Sequence, residues 1–265
     1  ALEDKVAGER KFVDWAVKYV GEECRFMNPG SDAQKQQLLF APCTNKNDPS
    51  KTMPATREFE TENTEGFIEE GKKVAKKKRS FIITGLGLPF VDATDSGWPA
   101  VSHPVMSKLV GDPPEKYGGL VKLFEQKGLD GGKEACEALA AAVESSKIDT
   151  LIGTFMIPLA EFADEKSRIH CSLNINTETG RLSSRKPNLQ NQPAHEKDRF
   201  GIRKAFTCEP GNNLIVADYG QLELRLLAHM TNCKSMLEAF RSGGDFHSRT
   251  ALGMYSHVRQ AIDEG

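Results

Sequence analysis

The sequence lacks the patterns of several large protein classes. Its six cysteines are scattered along the chain, with no CxxC pair and no histidine at metal-ligand spacing, so neither a zinc knuckle nor a disulfide framework is predicted. No apolar run approaches the roughly 20 residues that a helix needs to cross a bilayer. We therefore predict reduced thiols in an intracellular compartment and no membrane insertion.

Targeting signals and an excess of one charge are also missing. The opening residues, ALEDKVAGERKF, match neither a signal peptide nor a Ser- and Arg-rich transit peptide, and the first residue is Ala rather than Met. These features predict a processed chain, a trimmed one or part of something longer. Lys and Arg number 35 against 37 Asp and Glu, so the net charge of -2 argues neither for nor against a polyanionic partner.

What is present is the composition of an ordinary soluble globular protein, with 38% hydrophobic and 27% charged residues over 265 positions. Apolar residues recur at helical intervals over residues 6–20, which predicts an amphipathic helix with Trp15 facing the core. Ser31 is placed to cap a second helix. Residues 41–66 are polar and predict a surface excursion, inside a loop-rich insertion at about residues 41–132.

A basic cluster lies at residues 72–79, in the stretch EEGKKVAKKKRS. A solvated basic loop is favoured over a phosphate-contacting role, because no aromatic side chain is interleaved with the lysines. The GLGLPF that follows is not a dinucleotide-binding fingerprint, since GxGxxG is incomplete and no phosphate-binding helix follows.

The second half of the chain mixes helical and extended patterns. Residues 133–162 have strong helical character, RIHCSLNIN at residues 168–176 alternates like a strand, and residues 177–193 read as turns and loop. Lys and Arg outnumber the acids over residues 166–206, and amides and hydroxyls are interleaved with them. Such groups can donate to phosphate, sugar and base acceptors. The composition favours nucleic-acid binding, with a polar surface loop as the alternative.

NNLIVADYG at residues 212–220 predicts a buried strand after a turn, and residues 221–241 predict a helix that stops at Gly243 and Gly244. Mainly helical segments come first, and mixed strands and helices follow. This order predicts an α+β assembly of two subdomains.

Asp218 follows the apolar run and directly precedes the predicted helix, a place where open sheets gather ligands. A carboxylate there can hold Mg²⁺, but two-metal chemistry needs more than one protein carboxylate. From spacing alone a helix cap is favoured over a metal ligand. Later, GGDFHSRTA puts Asp245 or Ser248 at a helix start beside His247 and Arg249, which fits an anion site or a simple cap.

Four stretches occur in a fixed order: TGRLSSRKPNLQNQP, RKAF, VADYGQLELRLLAH and GGDFHSRTA. In this order and at these separations they resemble family A DNA polymerases, the DNA polymerase I type, and the wording is most similar to the plant, algal and protist organellar members. The resemblance spans almost the whole chain. It implies a right-hand polymerase fold of the α+β class, with a mainly helical, thumb-like region over residues 1–165 and the first part of an antiparallel-sheet palm over residues 166–265.

The resemblance also implies roles for individual residues. Asp218 is similar to the first catalytic aspartate, which binds Mg²⁺, and the Tyr219 carbonyl adds a ligand. Glu223 resembles the acid that closes against the sugar 2′ position and favours deoxynucleotides. Arg181 resembles the arginine that reaches the minor groove at the primer terminus, where acceptors common to all base pairs let one donor test pairing geometry.

Further positions match the family pattern. Asn188 and Gln190 match residues that line template and primer, and His247 matches the histidine that meets the incoming triphosphate. Gln221 and Arg225 belong to the same motif as the aspartate and are expected to hold its hydrogen-bond network. The family's usual DYSQIELR reads DYGQLELR here, and Gly220 in place of the common serine is not expected to affect the predicted metal ligand.

The implied function is template-directed 5′-3′ addition of dNTPs to a primer by two-metal phosphoryl transfer, in a plastid or mitochondrion. Family members continue into a fingers region and a strand with the second catalytic acid, whereas this sequence stops at Gly265. We therefore expect a chain that is catalytically incomplete by itself and works with the remainder of the polymerase or a larger organellar assembly. A truncated relic acting as a non-catalytic structural subunit is the alternative, and a stand-alone nucleic-acid-binding module is a third possibility.

Overall fold

The computed structural model describes residues 1–68, 71–90, 92–194, 198–241 and 246–263. Its contacts divide the chain into two compact units, Ala1–Ala205 and Phe206–Gly265. Helices alternate with small antiparallel sheets, so the α+β prediction is confirmed at that level. The division into a thumb-like region over residues 1–165 and a partial palm over residues 166–265 stays a prediction. Within the described ranges, no helix has the length and apolar character to span a bilayer.

The first unit is built mainly from α-helices. Their bounds are α1 Leu2–Tyr19, α2 Asp32–Phe40, α3 His103–Val110, α4 Leu120–Gln126, α5 Gly132–Leu151 and α6 Ile157–Phe162. A π-helical turn, Ile152–Met156, joins α5 to α6. The helices predicted over residues 6–20 and 133–162 are confirmed. Ser31 directly precedes α2, as predicted, but its side chain makes no capping hydrogen bond.

The sheets of the described residues each contain two antiparallel strands. The pairs are β1 Cys43–Thr44 with β2 Thr52–Met53, β3 Thr56–Glu62 with β4 Lys78–Thr84, β5 Gly111–Asp112 with β6 Lys116–Tyr117, and β7 Ser172–Asn174 with β8 Ser183–Arg185. In the longest pair, Thr56 lies opposite Thr84 and Glu62 lies opposite Lys78. The strand predicted over residues 168–176 is confirmed at its centre by β7.

The core of the first unit forms where α1 packs against α5. Phe12, Trp15 and Ala16 lie on one face of α1 and are buried, as the periodicity predicts. Gly8 permits close approach, because a Cβ atom there would lie 2.8 Å from the Ala141 carbonyl oxygen of α5. Burial of a side chain such as Phe12 stabilises the fold by about 1.5–3 kcal/mol relative to exposure.

The β3–β4 hairpin was not predicted from the sequence. Its first strand falls in the polar segment at residues 41–66 and is mostly exposed, as a surface excursion should be. Its second strand alternates exposed residues with buried Phe81 and Ile83, which join the same apolar cluster as Trp15 of α1. Part of the segment called loop-rich therefore contributes to the core.

One buried amide joins α2 to both ends of this hairpin. The Nε2 of Gln37 donates to the carbonyl oxygens of Pro54 at 2.9 Å, Ala55 at 3.2 Å and Ile83 at 3.4 Å. Gln37 is fully buried, and a buried Nε2 without acceptors would be costly. These bonds hold the start of β3 and the end of β4 beside α2.

The basic cluster at residues 72–79 splits into two kinds of side chain. Its lysines are exposed, as a solvated basic loop predicts. Arg79 differs, because its side chain is only 13% exposed and pairs with Glu65 at 3.3 Å. Its guanidinium carbon lies 3.8 Å from the ring centroid of Phe26 and 4.3 Å from that of Phe67, a cation–π geometry. Arg79 therefore anchors the hairpin.

The second unit contains four described helices, which are α7 Leu222–Thr231, α8 Lys234–Arg241, α9 Phe246–Met254 and α10 Ser256–Asp263. The prediction of one continuous helix over residues 221–241 is wrong. Asn232 adopts a left-handed backbone with φ of 50° and ends α7, because Asn tolerates this conformation better than most residues. The predicted stop at Gly243 and Gly244 lies outside the described residues.

The buried strand predicted over residues 212–220 is also wrong for this structure. No strand is formed there, and Leu214, Ile215 and Val216 are 63%, 89% and 84% exposed. A strand depends on neighbours for its hydrogen bonds and packing. Among the described residues, no strand pairs with this segment, so its β-forming side chains have nothing to pack against.

Candidate nucleic-acid and metal-binding site

The turn between β7 and β8 positions Arg181, the residue predicted to reach the primer terminus. The Thr177 hydroxyl donates to the Arg181 carbonyl at 2.6 Å. Gly180 adopts φ of 73°, a left-handed conformation that favours glycine. Asn174 accepts the N–H of Asn176 through its Oδ1 at 3.0 Å. These bonds fix the backbone at Arg181, whose side chain lies on the exposed surface of the hairpin.

Buried Ser184 is the centre of the loop that follows. Its hydroxyl donates to the Pro187 carbonyl at 3.1 Å and accepts the N–H of Leu189 at 3.2 Å. Gln190 folds back on the same strand, because its Oε1 accepts the Ser184 N–H at 3.2 Å and its Nε2 donates to the Leu182 carbonyl. Residues 182–190 are therefore held in one shape by side-chain to backbone bonds.

Asn188 and Gln190, the two residues predicted to line template and primer, offer different groups to a ligand. The Gln190 amide is engaged at both ends within the loop, which shapes the loop, and its predicted contact with DNA stays a prediction. Asn188 is exposed and its Oδ1 accepts the Gln190 N–H at 3.0 Å. The amide nitrogen of Asn188 is then the group suited to donate to a base or sugar acceptor.

The basic block over residues 166–206 is only partly directed to solvent. Arg203 donates through Nε to the Pro193 carbonyl at 2.8 Å. Arg199 pairs with Glu144 of α5 at 3.1 Å and with Asp4 of α1 at 3.5 Å. These two arginines are engaged in contacts within the first unit. The exposed cations of the block include Arg185, Lys186 and Lys204.

A carboxylate organises the turn that leads from α6 into β7. Asp164 accepts the N–H groups of Arg168 at 2.8 Å and Lys166 at 2.9 Å, and its Oδ2 lies 3.1 Å from Nε2 of His170. The Arg168 N–H, followed by the His170 side chain, holds the pKa of Asp164 below its usual value. This turn fixes the start of the hairpin that carries Arg181.

Asp218 lies in irregular chain ahead of α7 in the second unit. It is exposed, and its Oδ1 accepts the N–H of Tyr219 at 2.9 Å. The residue directly before α7 is Gln221, which has a left-handed φ of 58° and makes no side-chain capping bond. Asp218 is therefore not the cap of α7, which was the simpler interpretation of the sequence, and it presents a carboxylate to solvent.

Arg225 holds the turn that follows Asp218. Its Nε donates to the Gly220 carbonyl at 2.9 Å, and its backbone N–H donates to the Gln221 carbonyl at 3.0 Å. Its guanidinium carbon lies 4.6 Å from the ring centroid of Phe240 on α8. One side chain thus ties the turn after the aspartate to two helices.

Two other predicted site residues are located by their helices. Glu223 lies in the first turn of α7 and is exposed. His247 is the second residue of α9, but its side chain lies outside the described part of the chain, as does Asp245. The predicted anion site at residues 245–249 therefore stays a prediction.

The donors near Asp218 fit Mg²⁺ in kind. The Asp218 carboxylate and the Tyr219 carbonyl are hard oxygen donors, and Mg²⁺ sites commonly combine one or two carboxylates with waters and substrate phosphates. Among the residues that the structure describes, no group of three or more His, Cys, Asp or Glu is placed to hold a metal ion. Further ligands would have to come from water, substrate or other protein groups.

One unit carries an arginine- and amide-bearing loop, and the other carries an exposed aspartate before a helix. Such groups can donate to phosphate and base acceptors or bind Mg²⁺. The family model described as DNA polymerase family A matches residues 125–264. The chain belongs to DNA polymerase family A. All the predicted site residues, from Arg181 to His247, lie inside the matched span.

The chain is also similar over its full length to plant organellar proteins. It is 46% identical to "DNA polymerase I A, chloroplastic" of Oryza sativa subsp. japonica, covering 100% of this chain and 28% of that protein. It is 45% identical to "DNA polymerase I A, chloroplastic/mitochondrial" of Arabidopsis thaliana, covering 99% of this chain and 29% of that protein. The chain thus spans less than a third of the length of these relatives.

A solved structure, the POL domain of Pol1 from M. smegmatis in complex with DNA primer-template and dNTP, is similar to part of the chain. It is 26% identical, covers 68% of this chain and 29% of that chain, and superimposes with a TM-score of 0.44.

Sequence reasoning missed the residues that hold the loop in place. Ser184 was grouped with other polar residues, and nothing marked it as buried. Arg199 was counted only as part of a basic block. Its partners Glu144 and Asp4 lie 55 and 195 residues away in sequence, so no local signal could have identified these pairs.

Proposed function

We propose that the chain is part of an organellar DNA-directed DNA polymerase, which adds dNTPs to a primer in the 5′-3′ direction under the control of a template. Membership of family A supports the reaction class. The names of the plant relatives support a location in plastid or mitochondrion. The observation that carries the proposal is that the family match at residues 125–264 includes Arg181, Asp218, Glu223 and His247.

In this proposal the first unit supplies contacts to primer and template. Arg181, exposed on its hairpin, donates to minor-groove acceptors that all base pairs share, so it senses pairing geometry rather than sequence. Asn188 donates from the loop that Gln190 holds in shape. The thumb-like region at residues 1–165 and the partial palm at residues 166–265 are part of the same proposal.

The second unit supplies the first metal ligand and the nucleotide contacts. Asp218 and the Tyr219 carbonyl would hold Mg²⁺, which when bound supplies charge stabilisation for the phosphoryl group being transferred. Glu223 closes against the sugar 2′ position and disfavours ribonucleotides. His247 meets the triphosphate, while Gln221 and Arg225 keep the turn beside the aspartate in place. The remainder of the polymerase, or a larger assembly, provides the other acid ligand.

Primer extension by the polymerase that carries this chain tests the proposal. Loss of a metal ligand removes several kcal/mol of transition-state stabilisation, so Asp218→Asn should lower kcat by at least about 100-fold. Primer-template affinity should change by no more than about twofold, because the carboxylate contacts metal rather than the duplex. Asp130→Asn, at an exposed acid in the first unit, is the matched control. Unchanged extension by Asp218→Asn would support a non-catalytic relic instead.

Sugar discrimination provides a second test of the same site. Glu223→Ala removes the side chain proposed to close against the 2′ position, so ribonucleotide incorporation relative to deoxynucleotide incorporation should rise by at least about tenfold, a change of about 1.4 kcal/mol in selectivity. Competition of rATP with dATP in the extension assay measures this ratio. A ratio equal to that of the wild type would remove Glu223 from the site.

Binding by the 265-residue chain itself tests the DNA contacts separately from catalysis. We expect weak binding to a labelled primer-template, with an affinity that falls as salt rises, since each phosphate contact contributes about −0.9 to the slope of log K against log salt. We expect no dNTP incorporation by this chain alone. Measurable incorporation would contradict the proposed division of the active site.

A further inference from the structure

Arg199 makes contacts that the proposed chemistry does not explain. Its Nη1 lies 3.1 Å from Oε1 of Glu144 on α5, and its Nη2 lies 3.5 Å from Oδ2 of Asp4 on α1. A planar guanidinium suits this arrangement, because its fork can meet two acceptors at once. One side chain thus links the segment after residues 182–190, the primer-template loop, to both helices that form the core of the first unit.

The backbone around Arg199 is closed into a compact turn. Asp198 accepts the N–H of Ile202 at 2.6 Å and that of Arg203 at 3.0 Å, and Ile202 is buried. Arg203 then reaches back to the Pro193 carbonyl at 2.8 Å. Arg199 therefore belongs to a hydrogen-bonded turn, and its ion pairs hold that turn in place.

This turn is connected by further hydrogen bonds to the loop that carries the predicted DNA contacts. Arg203 donates through Nη2 to the Gln192 carbonyl at 3.3 Å. Gln192 in turn donates through Nε2 to the Asn188 carbonyl at 3.3 Å. The next link is the Asn188 side chain, which accepts the Gln190 N–H. A chain of bonds therefore runs from the turn at Arg199 to the loop over residues 182–190.

We infer that Arg199 is a positioning residue, which anchors the primer-template loop on the α1–α5 pair so that Asn188 and Arg181 meet the DNA in a fixed orientation. The inference rests on the proposed polymerase function. Arg199 acts through the backbone of the loop and touches no reacting atom. In this arrangement Glu144 and Asp4 each bind one nitrogen of the Arg199 guanidinium.

The ion pairs also allow the anchor to be removed without leaving a buried charge. The side chains of Arg199, Asp4 and Glu144 are 51%, 47% and 42% exposed. Glu144 has a second partner, Lys147, at 3.2 Å. Neutralising Arg199 therefore exposes no uncompensated buried acid, and exposed pairs of this kind add little to global stability. Effects on DNA binding can then be separated from effects on folding.

Two variants with opposite effects on charge test the inference in the polymerase that carries this chain. Arg199→Gln removes a positive charge, and the double variant Asp4→Asn with Glu144→Gln removes two negative charges. If the anchor positions the loop, both should raise the primer-template Kd by about threefold to tenfold, with kcat at saturating DNA within about twofold of the wild type. The triple variant, which combines all three substitutions, should have a Kd no more than about twofold above that of the single or the double variant, since all three proteins lack the same interaction.

A direct contact between Arg199 and phosphate predicts different results. The Asp4 and Glu144 double variant would then bind DNA more tightly than the wild type, because the surface becomes more positive. Arg199→Gln would also lower the salt slope of binding by about 0.9, whereas a positioning role leaves the slope unchanged. Either result, or an unchanged Kd for both variants, overturns the inference.

Two controls separate the remaining outcomes. Arg10→Gln removes a cation from an exposed pair with Asp14 within α1 at 3.9 Å and should leave the Kd within about twofold. A wild-type protein that neither binds nor extends primer-template contradicts the proposed function itself. A wild-type protein that does both, with Arg199→Gln indistinguishable from it, contradicts only the positioning role.

Discussion

Truncation of Phe81 tests whether the unpredicted β3–β4 hairpin belongs to the core of the first unit. Phe81 is 1% exposed, and its ring centroid lies 6.1 Å from those of Phe26 and Phe59. Removal of a buried Phe side chain costs about 3–5 kcal/mol, including the cavity that remains. Ile82, the next residue on β4, is 50% exposed. We expect Ile82→Ala to cost about 1 kcal/mol or less, since much of its surface is already in water.

Urea unfolding followed by tryptophan emission measures this difference in the first unit alone. The two tryptophans of the sequence, Trp15 and Trp98, both lie within residues 1–205, and Trp15 belongs to the same apolar cluster as Phe81. For an m-value of about 2–3 kcal/mol/M, a loss of about 3 kcal/mol lowers the midpoint by about 1 M or more.

Comparison of the two variants can contradict the packing of the hairpin on the core. If Phe81→Ala and Ile82→Ala shift the midpoint equally, or if Phe81→Ala shifts it by less than about 0.3 M, the hairpin is not packed on the core. A shift accompanied by a lower m-value would mean that the hairpin opens before the helices do.

Three further expectations concern single residues. Gly85→Ala places a Cβ on a neighbouring backbone carbonyl oxygen and should cost about 3 kcal/mol in the same urea assay, whereas Gly153→Ala, helical and open to solvent, should stabilise by about 0.5–1 kcal/mol. The Ser235 hydroxyl, 3.3 Å from Sγ, lowers the pKa of the Cys233 thiol, so Ser235→Ala should slow alkylation of Cys233 by iodoacetamide at neutral pH, measured by peptide mass spectrometry; an equal rate would contradict this. The pKa of Asp164 is lowered in the folded chain. Its contribution to the free energy of unfolding is therefore complete above the usual Asp pKa of 3.8 and is lost as the pH falls through the lowered pKa. Asp164→Asn should make the free energy of unfolding fall less steeply with pH in this acid range, and an unchanged steepness would refute the argument.

The helices of the first unit could be predicted because their signal is local. Apolar residues such as Phe12 and Trp15 repeat at helical spacing within a few turns, and burial follows from that spacing. The break at Asn232 was missed for the opposite reason. One Asn in a helical pattern does not show whether it will continue the helix or adopt the left-handed conformation that ends it.

Strands were harder to predict, because each depends on a partner strand that lies outside any short stretch of sequence. Phe59 of β3 lies opposite Phe81 of β4, and the charged residues between them dominate the composition of the segment. The apolar run at residues 214–217 carried a strong strand signal, yet it is exposed because no described strand pairs with it. Propensity identifies a candidate strand, and only the rest of a sheet makes it one.

At the candidate site, the sequence identified residue types better than their partners. Asp218 was correctly placed before a helix, but Gln221 occupies the position next to α7 and leaves the carboxylate exposed. Gln190 was predicted to line template and primer, which stays a prediction, but the sequence did not show that both ends of its amide form bonds inside the loop. These differences depend on hydrogen bonds between side chains and backbone, which residue spacing does not determine.

The buried amide of Gln37 has a consequence for how this region tolerates changes in length. By binding the carbonyls of Pro54, Ala55 and Ile83, it keeps the entry and exit of the hairpin side by side. Residues added or lost at the tip then leave the junction unchanged, and doubling the tip costs only about 0.6 kcal/mol of chain entropy. Changes in length at the tip of the hairpin are therefore expected to leave the core around Phe81 and Ile83 unchanged.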